Sequence, residues 1–437
     1  MPRNLSGPSP SGRKGFSARL DELSGLQWGG VVAALLALVL VLAALVVGVI
    51  PVGGTARTVA RPSTSVSSTS AAPAPTNASA EPTLIQPSAS SSATAAQITC
   101  PTTASPIPAT AVLGIAAGSG IPQLPKAEMH SAFERYAAGT VCPVVRADIE
   151  WRNIQRSPGK SAINWDTYGT MLEVISEINA DQPAEHKIFL IAPVGYAPGF
   201  SSLSGDTCNS GANLCAPDAA NGPDYYGQFM AAVLGKLAEL DIPSVREAGN
   251  EMNQFSRFRF QASKQFASPA ELYAAMLKAV AKYTPGQPVV FGGLAQIPTN
   301  EGGTSALDFV QAVCAAGAHG ASDGSAEFTA MGLHVYPDWA EVQAIHTWMT
   351  DNGCGTVDVL ATEVGPGGDA PNGPALESIL TRGLELPFVK AIVVYSPYGD
   401  GDHTGIWDHK NQADPGMLEA YRKGLTGTKQ LEGAGPA

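Results

Sequence analysis

The sequence lacks any cluster of basic residues. Its 437 residues include 26 Lys and Arg against 38 Asp and Glu, which gives a net charge of -12 at pH 7. Proteins that bind nucleic acid hold the phosphate backbone with clustered Lys and Arg side chains. The charge pattern therefore argues against a nucleic-acid partner.

Signatures of metal and dinucleotide binding are also missing. No C-x-x-C pair and no group of His at ligand spacing occurs, although such spacing is typical of metal sites. No G-x-G-x-x-G follows the first apolar run, as it would in a dinucleotide-binding domain. We therefore expect neither a bound metal nor a cofactor.

Cysteine is scarce, and all six cysteines lie after residue 99. An even number of cysteines is typical of disulfides when that part of the chain lies in an oxidising compartment. Buried free thiols are the alternative. Cys208 and Cys215 flank the short polar stretch NSGANL, so we predict a disulfide between them. The spacing of the other four does not indicate their pairing.

One long stretch lacks charge altogether. Residues 28–50, WGGVVAALLALVLVLAALVVGVI, are long enough to cross a hydrocarbon core of about 30 Å as a helix. A cleaved signal peptide is the alternative, but its apolar core would span only about 7 to 15 residues. We therefore predict a transmembrane anchor at 28–50, preceded by a cytoplasmic tail over 1–27. The flanking Lys and Arg residues give a weak bias towards this orientation, and the cysteines beyond the anchor support it.

The chain after the anchor divides by composition. Residues 51–107 are mostly Ser, Thr, Ala and Pro, which bury too little apolar surface to offset the entropy cost of ordering the chain. We predict a disordered linker over 51–107, a folded domain over 108–427 and a C-terminal tail over 428–437.

Short apolar runs alternate with segments of helical periodicity after residue 108. Most runs are apolar throughout, as expected for parallel strands that are covered on both faces. Eight strand–helix units over about 315 residues fit an α/β fold of the (β/α)8 TIM barrel type, with an open doubly wound sheet as the alternative. The predicted strands are 111–117, 144–149, 187–194, 243–250, 288–295, 329–336, 357–364 and 390–397.

Polar residues occupy the carboxyl ends of several predicted strands, which is where barrel proteins carry their active sites. Glu251 follows the fourth strand in GNEMN, and Glu363 ends the seventh strand in LATEVG. We therefore expect both carboxylates to face one pocket. The other polar residues at strand ends are Arg146, Asp148, Asn250, His334, Tyr336, Thr362, Tyr395 and Ser396.

Two carboxylates that face one pocket are what hydrolysis of a glycosidic bond requires: one protonates the leaving oxygen, and the other attacks or activates water. The acid must keep its proton near neutral pH, so we expect burial beside a second carboxylate to raise the pKa of Glu251. Arg146 and the Tyr336 hydroxyl are candidates for contacting Glu363. The Asn250 amide could bind a sugar hydroxyl.

The same motifs resemble those of clan A retaining glycoside hydrolases, over roughly residues 110–426. They are GNEMN on the fourth strand, TEVG on the seventh, LHVYP on the sixth, VVRADIEWRNIQ on the second and INWDTY after it. The resemblance implies that Glu251 is the acid/base and Glu363 the nucleophile. It also implies supporting or substrate-binding roles for Asn250, Arg146, His334 and Tyr336. The Gly-Asn-Glu motif is similar to the xylosidase-like and glucuronidase-like branches.

Two positions depart from the family pattern. Met252 stands where the family usually has Pro, and the end of the eighth strand, YSPYGDGD, lacks the Trp that many members place beneath the sugar. Tyr395, Tyr398 or Trp407 could supply that platform instead. Trp151, Tyr196, Phe200 and Trp339 are either further stacking surfaces or core residues.

These features predict a membrane-anchored, extracytoplasmic retaining glycoside hydrolase with Glu251 and Glu363 as catalytic residues. Its substrate would be a polysaccharide or oligosaccharide of the cell envelope or the extracellular space. The alternative is a non-catalytic barrel that binds envelope glycan as a receptor or scaffold. The predicted substrate-binding residues are Asn250, Arg146, His334, Tyr336, Tyr395 and Trp407.

Overall fold

The computed structural model describes residues 98–118, 120–137, 140–208, 214–296, 302–367, 371–396, 406 and 413–430. The predicted anchor at 28–50 lies outside the described residues, as do the predicted linker up to residue 97 and the C-terminal residues from 431. None of the described helices is long and apolar enough to cross a membrane.

Eight parallel strands form a closed barrel in the described residues, which confirms the predicted fold. Neighbouring strands pair in chain order, β8 pairs with β1, and pairing of β2 with β3 closes the ring. The short strand Ile149–Glu150 adds to the edge of β3. The barrel strands are β1 (Val112–Ala116), β2 (Val144–Arg146), β3 (Phe189–Gly195), β4 (Ser244–Asn250), β5 (Val289–Leu294), β6 (Ala330–Val335), β7 (Asp358–Val364) and β8 (Val389–Tyr395).

A helix follows each barrel strand. Ser268 is the N-cap of α4, because its side chain accepts a hydrogen bond from the Glu271 backbone N–H (3.2 Å). The Glu271 carboxylate in turn accepts from the Ala267 N–H (2.7 Å). The helices are α1 (Lys126–Ala137), α2 (Asp166–Ala180), α3 (Gly222–Glu239), α4 (Pro269–Tyr283), α5 (Ala306–Ala315), α6 (Ala340–Asp351), α7 (Gly373–Leu384) and α8 (Pro415–Gly427). A one-turn helix, Trp151–Ile154, and several short 3-10 turns lie in the loops.

Two hydrophobic clusters stabilise the barrel, one on each face of its strands. The larger cluster joins the outward-facing strand residues to the helices. The smaller cluster fills the barrel interior with alternate strand residues, such as Val112, Phe189, Val245 and Leu360. Polar side chains continue this alternation towards the carboxyl ends of the strands, and they form the site described below.

Two of the predicted aromatic stacking surfaces are core residues. Trp151 is fully buried and stacks on Phe229, with a ring separation of 5.5 Å. Trp339 is also buried, and its indole N–H donates to the Ile379 carbonyl (2.9 Å). Both rings therefore stabilise the contact between strands and helices and do not face a ligand.

All six cysteines form disulfides. The predicted pair Cys208–Cys215 is confirmed. The remaining pairs are Cys100–Cys142, which ties the segment before β1 to the loop before β2, and Cys314–Cys354, which ties the end of α5 to the loop after α6. The pairings join residues about 40 positions apart in sequence, so spacing alone could not reveal them.

Candidate active site

The carboxyl ends of β2, β4, β6 and β7 bring the main predicted residues together. Strand register determines this arrangement, because Asn250 at the end of β4 is level with Gly293 of β5. His334 of β6 is level with Glu363 of β7, after an irregularity that follows Leu333. Side chains far apart in sequence therefore meet at one end of the barrel.

Arg146 lies at the centre of the site and is 2% exposed. Its Nη1 donates to Glu363 Oε1 (2.6 Å), its Nη2 to Asn250 Oδ1 (2.7 Å) and its Nε to Glu247 Oε2 (2.7 Å). Burial opposes the charge of the guanidinium, but the carboxylates of Glu247 and Glu363 raise the pKa of Arg146 above its ordinary value. The predicted contact between Arg146 and Glu363 is therefore present, and Arg146 stays charged.

Glu247 is a site residue that sequence reasoning missed. It is fully buried inside the barrel, where one oxygen pairs with Arg146 and the other accepts from the Thr362 hydroxyl (2.8 Å). A sequence signal existed, because an acidic residue within an otherwise buried strand requires a partner. Glu247 holds the Arg146 fork in place from below, and Arg146 in turn positions Glu363 and Asn250.

The backbone around Glu251 bends sharply as it leaves β4. Gly249 has φ +98° and Glu251 has φ +52°, both in the left-handed region. A side chain at Gly249 would collide with Met252, which packs there with 3% exposure. Met252, at the position where a proline was expected, therefore packs beneath this bend. The Glu251 N–H donates to the Gly293 carbonyl (2.7 Å), which fixes the carboxylate above the barrel.

Asn253 has a structural function. Its amide nitrogen donates to the carbonyls of Ala295 and Thr304 (2.9 Å each), and its Oδ1 accepts from the Ala295 N–H (3.0 Å). These bonds attach the loop after β4 to the loop after β5. Of the two amides that flank Glu251, only Asn250 therefore belongs to the site.

Glu251, His334 and Glu363 form a compact group at the mouth of the barrel. His334 Nδ1 lies 3.2 Å from Glu251 Oε1 and 3.5 Å from Glu363 Oε2. The ring is 1% exposed, and its Nε2 has no hydrogen-bond partner among the described residues. A side chain at Gly293 would collide with this nitrogen, so glycine is required there.

The charges in this group change the expected titration of Glu251. Burial acts to raise the pKa of Glu251, but the hydrogen bond and charge of His334, with Arg257 and Arg146, lower it below its ordinary value. Burial acts against protonation of His334, but Glu363 and Glu251 raise the pKa of this imidazole above 6.5. The expectation of a raised pKa at Glu251 is therefore wrong, because the hydrogen bond and charge of His334, with the two arginines, outweigh the effect of burial.

Asn250 is held in one orientation by its neighbours. Its oxygen accepts from Arg146, and one amide N–H donates to the Tyr196 hydroxyl (3.1 Å). The second N–H is the group that could bind a sugar hydroxyl. Tyr196 has φ +62° and lies beneath Arg152, whose guanidinium carbon is 5.8 Å from the ring centroid.

Asp148 is a third carboxyl group near Arg146. Burial raises the pKa of Asp148 to about 7, although the charge of Arg146 opposes this shift. Its Oδ1 is buried, lies 3.9 Å from Arg146 Nη1 and has no hydrogen-bond partner in the described part of the chain. A proton on Asp148 would therefore relieve the negative charge beside Glu363.

The structure treats the predicted substrate-binding residues Tyr336, Tyr395 and Trp407 differently. The Tyr336 N–H donates to Gln296 Oε1 (2.6 Å), but its hydroxyl makes no hydrogen bond to Glu363 within the described ranges. Burial, followed by the charges of Glu363 and Tyr395, raises the pKa of Tyr336 well above 10, so both groups lie near its ring. Tyr395 ends β8 level with Ala116. Trp407, like Tyr398, lies outside the described residues.

Within the described part of the chain, the group Glu251, His334 and Glu363 could also hold a cation. Glu251, His334 and Glu363 each offer one ligand atom within 4.8 Å of the others, a proximity that sequence spacing could not reveal. A metal-binding imidazole must be neutral, whereas the pKa of His334 is raised. Arg146 binds Glu363, and Arg257 Nε lies 3.4 Å from Glu251 Oε2, so fixed positive charge already neutralises the carboxylates. The group therefore fits an ion-pair network better than a metal site.

Cavities occur at both ends of the barrel. One of about 580 Å³ lies at the amino ends of the strands, between residues 103–109 and the side chains of Asp358 and Lys390. Another of about 280 Å³ lies at the carboxyl ends, lined by Arg152, Arg156 and Phe200. Only the second cavity lies on the side of the candidate active site.

No protein-family model and no curated protein sequence matches this chain. Solved structures similar to it include an exo-beta-1,4-mannosidase from Opitutaceae bacterium strain TAV5, with 14% identity and a TM-score of 0.46 over 74% of this chain and 60% of that one. A glucosidase from Croceicoccus marinus has 15% identity and a TM-score of 0.46 over 73% of this chain and 68% of that one. An endo-1,4-beta-mannanase from Rhizomucor miehei has 12% identity and a TM-score of 0.46 over 74% of this chain and 95% of that one. At these identities the likeness to these structures is one of fold and assigns no function to this chain.

Proposed function

We propose that this protein is a retaining glycoside hydrolase in which Glu363 is the nucleophile and Glu251 the acid/base. The observation that carries the proposal is the pair of carboxylates at the barrel mouth, held in different surroundings. Glu363 accepts from the buried Arg146 guanidinium, and Glu251 shares a contact with His334. Two acids with different electrostatic partners can perform the two different roles that glycoside hydrolysis needs.

Glu363 is suited to attack the anomeric carbon. Its side chain is 13% exposed, so one face remains accessible, while Arg146 compensates its negative charge at 2.6 Å. A carboxylate nucleophile must be anionic when it forms the covalent glycosyl intermediate. Arg146 and Glu247 therefore support Glu363 as an electrostatic and positional unit.

Glu251 can obtain the proton it must donate from His334. The two groups are 3.2 Å apart, and His334 carries the proton at a pH where an isolated carboxylic acid would be ionised. Transfer from Nδ1 to Oε1 gives the carboxylic acid, which protonates the leaving oxygen. The carboxylate so formed then removes a proton from water as water attacks the intermediate.

The separation of the carboxylates supports retention of anomeric configuration. An oxygen of Glu251 and an oxygen of Glu363 lie within 4.8 Å of each other. Retaining enzymes place the two carboxyl groups about 5 to 5.5 Å apart, whereas inverting enzymes leave about 6.5 to 9.5 Å for water. This proximity favours the double-displacement mechanism.

An assay of polysaccharide cleavage would distinguish a glycoside hydrolase from a barrel that binds glycan without cleaving it. The full-length chain should be incubated with a panel of cell-envelope and extracellular polysaccharides, with release of reducing ends as the assay. We expect cleavage of at least one of them. Binding without release of reducing ends would favour the receptor or scaffold.

We further propose that residues 28–50 anchor the protein in a membrane, with the barrel on the extracytoplasmic side. The uncharged stretch and the three disulfides support this location, because disulfides persist in oxidising compartments. Protease added to intact cells should release a soluble fragment that contains the barrel. A barrel that resists protease until the cells are lysed would contradict the proposed orientation.

His334→Gln should shift the pH dependence of activity. The Glu251–His334 pair holds its last proton up to a pH above 6.5, because the carboxylates raise the pKa of His334. Glutamine keeps a polar side chain but cannot hold that proton. The pair therefore lacks the group that titrates at the higher pH. The basic limb of the kcat profile should therefore move to lower pH. An unchanged basic limb would show that His334 does not supply the proton.

A further inference from the structure

Two large apolar side chains are exposed in the described residues, and both lie at the carboxyl ends of the barrel strands. Phe255 is 52% exposed in the loop after β4, and Leu203 is 46% exposed in the loop after β3. Single exposed apolar residues are common on protein surfaces. Phe255 differs because it follows Glu251 by four positions and because the backbone of Gly302 lies against its ring.

The loop that carries Phe255 is held firmly. The backbone of Gly302 lies against the Phe255 ring, since a Cβ on Gly302 would be 3.1 Å from ring atom Cδ2. Gln254 pairs with Gly303, and the Asn253 side chain binds the loop after β5. One edge of the ring therefore lies close to the Gly302 backbone while the side chain remains half exposed. The contacts of the loop set the position of Phe255 before a ligand arrives.

The position of the loop relative to Glu251 identifies the side of the substrate that it would meet. The Gln254 N–H donates to the Glu251 carbonyl (2.9 Å), so the chain turns directly after the acid/base. Glu251 Oε1 faces His334, whereas Oε2 faces Arg257, whose side chain is 42% exposed. An acid/base at Glu251 would protonate the leaving oxygen, so Arg257 beside Oε2 would meet the leaving group.

We propose that Phe255 and Arg257 form a leaving-group subsite in which a sugar ring stacks on Phe255 and accepts hydrogen bonds from Arg257. The inference rests on the proposed roles of Glu251 and Glu363, and it adds the residues that would bind the leaving group. A flat aromatic face binds the C–H face of a pyranose, and a guanidinium donates to its hydroxyl groups. Such a subsite fits a saccharide whose leaving group is itself a sugar.

The experiment compares two substrates with the same glycosyl group but different leaving groups. One is the polysaccharide that the full-length chain cleaves, and the other is the matching glycosyl fluoride, whose leaving group is too small to stack. The quantity measured is the ratio of kcat/KM for the polysaccharide to kcat/KM for the fluoride. The variants are Phe255→Ala and Phe255→Trp, with Leu203→Ala as the control for loss of an exposed apolar side chain on the same face.

We expect Phe255→Ala to lower this ratio by about tenfold, because only the polysaccharide loses a stacking partner. Phe255→Trp should keep the ratio near the wild-type value, and Leu203→Ala should leave it unchanged. An equal loss on both substrates would mean that Phe255 only supports the site, and an unchanged ratio would mean that it binds no sugar. Either result overturns the subsite.

A second measurement tests the subsite independently of the catalytic proposal. If the wild-type chain cleaves nothing, the proposed function fails, and electrophoresis through gels that contain each polysaccharide reports binding alone. Retardation of the wild-type chain that is lost in Phe255→Ala and kept in Leu203→Ala supports the subsite. Equal migration of the wild-type chain and Phe255→Ala in every gel overturns it.

Discussion

Replacement of Glu363 by alanine is expected to lower turnover by more than about 10⁴-fold on every substrate that the wild-type chain cleaves. No covalent intermediate can form without this carboxylate, and a better leaving group does not replace the missing nucleophile. Steady-state rates on the polysaccharide and on the matching glycosyl fluoride measure the effect. Glu377→Ala is the matched control, because Glu377 lies on α7 and pairs with Lys423 at the surface (2.9 Å).

Glu251→Ala should give a different phenotype from Glu363→Ala. Loss of the acid/base should cost about 10² to 10⁴-fold on the polysaccharide, whose leaving oxygen needs a proton. The loss should be much smaller for formation of the intermediate from a glycosyl fluoride. Azide should then accelerate turnover, because it attacks the intermediate without a general base. Equal losses for both variants on both substrates, without azide rescue, would contradict the division of roles.

Arg146→Met is expected to destabilise the fold by about 3 to 5 kcal/mol as well as abolish activity. The substitution leaves the buried Glu247 without its cation and removes the donors to Glu363 and Asn250. Urea unfolding, monitored by circular dichroism, measures the stability loss. Arg382→Met on the surface of α7 is the control, and it should change stability by less than about 0.5 kcal/mol.

A double variant separates the buried ion pair from other effects of losing Arg146. Arg146→Met combined with Glu247→Gln removes the uncompensated carboxylate, so part of the lost stability should return. Activity should not return, because Glu363 still lacks its guanidinium. A double variant less stable than Arg146→Met alone would contradict the account of Glu247 as the buried partner of Arg146.

The barrel could be predicted from sequence because each strand is a short, nearly continuous apolar run. Parallel strands covered on both faces have no other common pattern, so all eight were located to within a few residues. The positions of Glu251 and Glu363 followed, since strand ends in a barrel share one rim. The pairing of Cys100 with Cys142 did not follow, because it depends on where the segment before β1 crosses the barrel.

The electrostatics of the site were harder to predict than its location. Glu247 looks in sequence like one polar residue within a strand, and only the closed barrel places it beneath Arg146. The titration of Glu251 depends on His334, which comes from another strand and lies 3.2 Å away. Burial alone would raise the pKa of Glu251, and a partner 83 residues away in sequence reverses the direction.

The roles of polar and aromatic neighbours also depend on three-dimensional contacts. Asn250 and Asn253 are equivalent in the sequence around Glu251, yet one faces the site and the other joins two loops. Trp151 is a larger aromatic surface than Phe255, but it is fully buried, whereas Phe255 is 52% exposed. Exposure is a property of the packed loops, so a pattern of residue types could not distinguish these rings.

The stereochemistry of the first-formed product tests the two-carboxylate mechanism most directly. The full-length chain should be mixed with the glycosyl fluoride or oligosaccharide that it cleaves, and the anomeric protons followed by NMR before mutarotation. The account predicts a product with the same anomeric configuration as the substrate, because Glu251 and Glu363 have oxygens within 4.8 Å and act by double displacement. A first product of inverted configuration would contradict the assignment of Glu363 as nucleophile.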